Sequence, residues 1–344
     1  MKNIVWQLFG TWIFIVTLLP AAVCADMDSA ELLKGFGLTP GEIERLENGE
    51  VLAYSDEEFE FSKRELSADA IVHVDTDHAA VLRAMQEDAT LIPVKLLMEH
   101  TRVFSEADFD NVNFTEGEYG EVEDLFKAKP GKEFNFSNDE IAMLQQMLKP
   151  HRSGSKAQKM AAASDAMRAV LIGRYDGYRV KGLAGIEGYQ RSKRKKVDVG
   201  AELQLTNDAF RPFEEDFPEF VRLMYGYPEG ADCCTHEFRW LKVKIRKRIA
   251  FALAHTMIQT TDTFALITER HYYVSNTLNS VQLTIVWLPY EDGGSVGLAM
   301  SASADVLNSL MGRMLRPVGR NLAKDTVTDA MLDIKATLEE GASQ

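Results

Sequence analysis

The sequence predicts an α+β fold, in which a curved antiparallel sheet grips a long C-terminal helix and carries an extended helical and loop insertion. Successive segments between residues 238 and 304 show the two-residue alternation that is typical of strands. Two apolar stripes at helical spacing then close the chain. At 344 residues and 46% hydrophobic composition, the chain is long enough to bury one large core or two smaller ones.

The first 25 residues have the organisation of a signal peptide. Lys2 precedes an apolar stretch over residues 4–19, Pro20 breaks that stretch, and Val23-Cys24-Ala25 matches a cleavage site. We expect cleavage before Asp26 and a mature protein that is periplasmic or secreted. An uncleaved membrane anchor and a lipidated cysteine at position 24 are the alternatives.

The mature chain would keep two adjacent cysteines, Cys233 and Cys234. Because a disulfide between neighbours distorts the peptide that joins them, a scaffold built on disulfides is excluded. Two small loop residues, a strained vicinal disulfide and an intermolecular link remain open.

Acidic residues are concentrated in the first part of the mature chain. Residues 26–150 hold 29 acidic and 11 basic side chains, and the whole chain has a formal charge of −14. This balance argues against nucleic acid as a partner. The second part contains a basic run, which consists of Arg191, Lys193, Arg194, Lys195 and Lys196.

Three interpretations of this basic run are open. It could be a solvated loop, or it could make transient contact with an anionic membrane. A third possibility is intramolecular, because the run and the basic residues between 242 and 248 could face the acidic first part and hold the two parts together.

Helix and strand signals follow one another in the N-terminal part. Thr39 and Glu42 have the spacing of a capping box, and Gly49 is placed to end the helix that begins there. Residues 68–74 alternate as a strand, and residues 78–86 place three apolar side chains on one helical face.

This opening resembles exported proteins of the START or Bet v 1-like helix-grip superfamily. The resemblance is carried by Leu38-Thr39-Pro40-Gly41-Glu42-Ile43, by Ala70-Ile71-Val72-His73-Val74-Asp75 and by Ala79-Ala80-Val81-Leu82. It implies a first strand followed by short helices, several antiparallel strands, and a last helix that encloses a hydrophobic cavity. The implied domains are a signal peptide over residues 1–25, an N-terminal helical segment over 26–66, and a START-like domain over 67–344 with an insertion at about 90–233.

The later strands pair large side chains on one face with small ones on the other. Residues 238–246 alternate, and residues 249–257 then place Ile, Phe, Leu, His and Met opposite Ala and Thr. Residues 264–275, 283–288 and 295–304 continue the series. In the closing helix, Pro317 separates an apolar stripe over residues 306–315 from a second stripe over residues 322–338.

Two motifs that suggest chemistry fail on inspection. Gly293-Gly294-Ser295-Val296-Gly297 fits a serine-hydrolase pattern, but the last histidine of the chain, His271, precedes the serine, so the order of that fold is not met. The segment from His73 to His78 contains good metal ligands, but its two aspartates are explained as helix caps. We therefore expect no metal and no cofactor.

Six residues are the candidate lining of a ligand cavity: Trp240, Phe251, His255, Tyr272, Tyr273 and Trp287. His255 would be either a hydrogen-bonded core histidine or the polar contact of a ligand. We expect an exported binding or transport protein for a lipid or other hydrophobic small molecule. The alternatives are a cavity enzyme of the cyclase or hydratase type, with His255 or His271 beside a carboxylate or tyrosine, and a cavity-free interaction or assembly protein. No motif identifies a catalytic residue, the ligand or the oligomeric state.

Overall fold

The computed structural model describes residues 33–34, 37–55, 65–87, 91–132, 134–192, 195–214, 217–245, 247–290, 293–305 and 316–341. Its helices are α1 (Pro40–Glu47), α2 (His78–Glu87), α3 (Tyr119–Phe126), α4 (Asn138–Leu148), α5 (Lys156–Lys181), α6 (Val199–Asn207), α7 (Pro218–Gly226) and α8 (Arg316–Gly341). Its strands are β1 (Leu52–Tyr54), β2 (Glu65–Val74), β3 (Leu97–Arg102), β4 (Tyr189–Ser192), β5 (Lys195–Val197), β6 (Thr235–Ile245), β7 (Arg248–Thr260), β8 (Ala265–Val274), β9 (Leu278–Pro289) and β10 (Ser295–Asp305). The predicted signal peptide and the apolar stripe over residues 306–315 lie outside this part of the chain.

An eight-stranded antiparallel sheet organises the molecule. Its order is β1-β2-β10-β9-β8-β7-β6-β3, and every neighbouring pair is antiparallel. The sheet is open, with β1 and β3 at its two edges. The α+β class and the predicted run of antiparallel strands are therefore confirmed, while β4 and β5 form a separate small hairpin.

Local signals in the sequence set the first elements. Thr39 caps α1, and Glu42 completes the capping box by accepting a hydrogen bond from the Thr39 backbone N–H at 2.9 Å. Gly49, which follows the helix, has a φ of +88°, a conformation that favours glycine. In β2, Ala70, Val72 and Val74 share one face and Ile71 the other, as the alternation predicts.

The two faces of the sheet are covered by different parts of the chain. We call the face that packs against the helices between β3 and β6 the insertion face, and the opposite face, which packs against α2 and α8, the α8 face. The sheet therefore lies between two helical layers, because both of its faces carry apolar side chains that must be buried.

The C-terminal helix α8 lies along β2 on the α8 face. Val327, Met331, Ile334 and Leu338 are at most 7% exposed and pack against the apolar side chains of β2, β9 and β10. At about 1.5–3 kcal/mol for each large side chain, this burial is enough to fix the helix on the sheet. The described part of the predicted stripe is thus confirmed as a packing face.

Helices α3 to α7 form the layer over the insertion face. Arg174 of α5 binds Glu140 of α4 through two hydrogen bonds of 2.7 Å, and both side chains are at most 8% exposed. Gly182 ends α5 with a φ of +56°, and the carbonyl oxygen of Tyr227 lies where a Cβ would be. This close approach brings Tyr227, which follows α7, against the end of α5.

Ion pairs, of which Lys242–Glu118 is buried, join the acidic first part to the basic strands. Lys242 of β6 is fully buried and binds Glu118 at 2.9 Å and Glu99 at 3.1 Å. Arg248 of β7 binds Glu121 at 2.8 Å. For Lys242 and Arg248, the predicted intramolecular role of the basic residues is confirmed. In the basic run, Lys196 is exposed, and Lys193 and Arg194 lie outside the described residues.

Candidate functional site

The structure divides the six predicted lining residues between the two faces of the sheet. Trp287 lies on the α8 face, where its ring closely approaches Gly297 of β10. The other five lie on the insertion face, and all six are at most 1% exposed: Trp240, Phe251, His255, Tyr272, Tyr273 and Trp287. The structure therefore does not bring the six residues together around one cavity.

A bulge in β8 explains why two successive tyrosines point to the same face. Tyr273 is opposite Leu253 and His271 is opposite Ala254, so Tyr272 is the extra residue. Such a bulge turns both side chains of the pair to one side of the sheet. Tyr272 stacks on Tyr178 of α5 with ring centroids 3.9 Å apart, while Arg174 lies over the ring of Tyr273.

His255 takes part in a chain of hydrogen bonds whose direction is fixed. His236 Nε2 lies 2.9 Å from the carbonyl oxygen of Ala231, which can only accept, so this nitrogen carries the proton. His236 Nδ1 then accepts from His255 Nε2 at 2.8 Å. His255 Nδ1 in turn accepts from the hydroxyl of Tyr178 at 2.9 Å. Both ring nitrogens of His255 are thus engaged.

Arg270 continues this chain and joins three inserted helices to β8. It is fully buried, and it donates to the hydroxyl of Tyr178 at 3.3 Å and to Gln282 Oε1 at 2.9 Å. Its Nη2 donates to Asn207 Oδ1 at 3.0 Å and to the carbonyl oxygen of Met224 at 2.9 Å. These acceptors are all neutral, so the positive charge of Arg270 is held by oriented dipoles.

Burial beside a cation keeps His255 neutral. The pKa of His255 lies well below its usual value because the ring is desolvated, and because His236 and Arg270 lie nearby. Phe238 also stacks on the His255 ring, with centroids 4.4 Å apart. A neutral histidine with both nitrogens bonded and its ring face covered is a packed core histidine, which is the first of the two interpretations that the sequence allowed.

The α8 face carries a different arrangement, a trough along β7. The name trough is used here for the surface over Ala250, Ala252, Ala254 and Thr256. Along β7 these four residues alternate with the large residues of the insertion face. All four are at most 1% exposed. The flanking strands β6 and β8 carry larger side chains and lie roughly 10 Å apart. The floor of the sheet is therefore lower along β7 than on either side.

The polarity of the trough changes along its length. At one end, Ala252 lies between Leu241 of β6 and Val274 of β8. At the other end, strand register places Ala254 between Arg239 and His271, and places Thr256 between Glu237 and Glu269. The side chains of these three cross-strand rows, which are centred on Ala252, Ala254 and Thr256, thus change from apolar to charged along β7.

Charged side chains at the polar end bind one another across and along the strands. His271 Nε2 lies 2.6 Å from Glu269 Oε1, and Arg239 donates to Glu237 at 2.7 Å. Arg102 of β3 also binds Glu237, at 3.3 Å. The hydroxyl of Thr256 lies between the two carboxylate residues and has no hydrogen-bond partner among the described residues.

Residues 91–97, which we call the cover segment, cross the α8 face after α2 and end at Leu97, the first residue of β3. The N–H of Leu91 donates to Glu269 Oε2 at 3.1 Å, and Ile92 and Leu97 pack against the apolar end of the trough. Two side chains of α8 hold the middle of the segment, because Asp333 accepts from the N–H of Val94 at 2.7 Å and Asp329 binds Lys95. The helix and the trough are thereby connected.

Sequence reasoning did not identify the charged rows as a group. The alternation of β6 and β8 places Glu237 with Arg239, and Glu269 with His271, on common faces. The missing information was the strand register, which depends on the bulge at Tyr272 and cannot be read from the alternation. Only the register brings these four residues to either side of Thr256.

Two depressions are found on the inserted helical layer, away from the trough. Their volumes are about 250 and 520 Å³, and Phe126, Lys127 and Arg152 line both. None of the six predicted lining residues contributes to either of them.

The two motifs set aside in the sequence lie against each other. His78 Nδ1 lies 3.3 Å from the hydroxyl of Ser295, which also donates to the carbonyl oxygen of Thr76. Because Ser295 is fully buried, a substrate cannot reach this pair. Among the described residues, no group of three or more His, Cys, Asp or Glu side chains is arranged to hold a metal ion. Cys233 and Cys234 are free thiols.

Comparison with protein-family models and with curated proteins finds no match. Within the described ranges, no helix combines the length and the apolar character that crossing a bilayer requires.

Proposed function

We propose that this protein is an exported carrier or receptor for a lipid or other hydrophobic small molecule, held in the trough on the α8 face. In this proposal the sheet bends towards α8, and the helix grips the guest indirectly through the cover segment. Export rests on the signal-peptide pattern of residues 1–25.

The row of small side chains on β7 carries the proposal. A central strand that is buried on both faces normally fills both with large apolar residues. Here the insertion face of β7 follows that rule with Phe251, Leu253 and Met257, whereas the α8 face carries alanine at three successive inward positions. A row of small side chains bordered by leucine and valine is the kind of apolar surface that suits an apolar guest.

The order of the elements gives further support. The domain opens with β2, continues with α2, β3 and the insertion, then runs through the antiparallel strands β6 to β10, and ends with β10 paired to β2 and with α8 packed along β2. This is the succession that the START or Bet v 1-like resemblance implies.

Filling the trough tests the proposal. Organic extracts of the purified mature protein, analysed by mass spectrometry, are expected to contain a stoichiometric apolar guest. Ala252→Trp should remove it without loss of the far-ultraviolet circular dichroism, because the indole would occupy the space of the guest. Ala166→Trp, at a buried alanine of α5 on the other layer, is the matched control. Any properly folded protein of that variant should retain the guest.

A stability measurement shows whether the trough has room at all. Ala252→Leu is expected to change the free energy of unfolding by less than about 1 kcal/mol, whereas Ala70→Leu, on β2 beneath α8, should cost about 1–3 kcal/mol through overpacking. Equal costs for the two variants, together with guest-free extracts, would reject the carrier. Such a result would favour the cavity-free interaction or assembly protein.

A further inference from the structure

The charged end of the trough selects the kind of polar group that the site accepts. We infer that the trough, whose role as a binding site rests on the proposed function, takes an apolar molecule with a neutral hydroxyl or carbonyl head. The hydroxyl of Thr256 is the contact for that head. A carboxylate or ammonium head of the same chain length is rejected.

The hydroxyl of Thr256 is buried without a partner in the described structure. Thr256 is fully buried, and its Oγ1 has no hydrogen-bond partner within the part of the chain that the structure describes. A buried hydroxyl without a partner is destabilising, so a position that keeps one calls for an explanation. On the α8 face this oxygen lies between the rows of Glu237 and Glu269, at the end of the apolar floor.

The charges around that hydroxyl balance one another. Arg239 and Arg102 bind Glu237, while Glu269 binds His271 and accepts the N–H of Leu91. Two arginines thus balance two glutamates, and the histidine adds a charge only if it is protonated.

A charged head would upset this balance. It would enter a buried site whose opposite charges are already engaged, so its loss of hydration would not be compensated. A neutral head that exchanges one hydrogen bond with Thr256 avoids that cost.

The trough has a direction, because its two ends differ in polarity. From Thr256 the floor continues through Ala254 and Ala252 to Ala250, and the walls change from charged residues to Leu241, Val243 and Val274. A molecule with its head at Thr256 would therefore lay its apolar body against the alanines, in place of Ile92 and Leu97 of the cover segment, which pack there in this structure. The site orients the guest, because Thr256 and the charged side chains beside it lie at one end of the trough and the alanines lie towards the other.

Competition against a neutral apolar dye tests the inference. N-phenyl-1-naphthylamine reports occupation of the trough by its fluorescence, and 1-dodecanol, dodecanoate and dodecyltrimethylammonium share one chain and differ in the head. We expect 1-dodecanol to displace the dye with an apparent Kd at least tenfold lower than either charged amphiphile. Thr256→Val should raise the Kd of 1-dodecanol about tenfold, which corresponds to one hydrogen bond, and leave the Kd of the dye unchanged.

Two further variants separate recognition from folding. Thr256→Ser keeps the hydroxyl and should keep the preference for 1-dodecanol. Thr268→Val is the matched control, because Thr268 is also fully buried, but it lies on the insertion face and bonds Thr284 at 2.7 Å. It should leave all three competitors unchanged.

The failures of the two proposals differ. Suppose that the dye binds wild type and does not bind Ala252→Trp, but that dodecanoate binds as tightly as 1-dodecanol. This result would overturn the head-group inference and leave the carrier in place. Equal binding of 1-dodecanol by Thr256→Val and wild type would also overturn it. Dye that fails to bind wild type, or that binds Ala252→Trp equally well, would overturn both.

Discussion

The environment of His255 illustrates how a polar residue becomes part of a core. Its two nitrogens join a tyrosine of α5 to a histidine at the start of β6, and burial, together with the nearby His236 and Arg270, keeps the ring from taking up a proton. The fixed direction of the hydrogen bonds requires the neutral form, so folding and protonation of this ring oppose each other.

This opposition predicts a pH dependence of stability. The pKa of His255 is lowered in the folded state, so below about pH 6.5 the unfolded chain binds a proton that the folded chain does not. The contribution of His255 is therefore complete above pH 6.5 and decreases as the pH falls. In urea unfolding, His255→Asn should be about 1–3 kcal/mol less stable than wild type at pH 7.5, because Tyr178 and His236 lose their partner.

The difference in the free energy of unfolding between wild type and His255→Asn should then shrink by about 1.4 kcal/mol between pH 7.5 and pH 5.5. Asp69, whose pKa is raised to about 6 by burial, titrates in the opposite sense, but it is present in both proteins and cancels. His100→Asn, at an exposed position of β3, is the control and should show neither effect. A stability difference that is independent of pH would contradict the assignment of a neutral His255.

At the scale of elements, the sequence predicted the strands better than the layers. Two-residue alternation located β2 and β6 to β10, and the capping box located α1, because these signals depend only on local periodicity and backbone chemistry. Alternation shows that His255 and Ala254 point to opposite faces, but not which element covers each face. The insertion covers the His255 face with residues such as Tyr178, which lies 77 residues earlier in the chain, and only the tertiary structure reveals this contact.

The bulge at Tyr272 limited the prediction of the site in the same way. Without it, strict alternation would place Tyr273 on the face of His271, and the rows around Thr256 would be shifted by one residue. Trp287, in contrast, lies two residues after Ile285 in β9 and shares the α8 face with it, as regular alternation predicts once one residue of that face is known.

The packing of α8 supplies an element-scale prediction with an adjacent control. Met331 is fully buried against the sheet, whereas Leu332 is 45% exposed on the same helical turn. Met331→Ala should lower the free energy of unfolding by about 2–5 kcal/mol through loss of contacts and formation of a cavity. Leu332→Ala should stay within about 0.5 kcal/mol of wild type. Similar costs for the two variants in urea unfolding would place the apolar stripe of α8 elsewhere than on β2.

At the scale of the whole molecule, the sheet contacts the insertion layer on one face and the α8 layer on the other. The insertion layer is attached by apolar packing and also by buried polar groups, with Arg270 binding α6 and α7 and Lys242 binding Glu118. The α8 layer is attached mainly by apolar packing. Breaking a buried ion pair leaves a charge without compensation, so the insertion should not detach from the sheet at low cost.

Native-state hydrogen exchange tests whether the sheet and the insertion layer unfold as one cooperative unit. Amides of α5 near Tyr178 and amides of β8 near Arg270 should exchange with the same free energy, because opening either one breaks the hydrogen bonds of both. The edge strand β3, where Met98 is 45% exposed, should exchange by local opening at least a hundredfold faster than β8. Lys242→Met, which leaves Glu118 buried without its cation, should lower the protection of α5 and β8 by equal amounts. If protection falls in α5 alone, the insertion is an independent folding unit, and its polar contacts with the sheet are an interface between two domains.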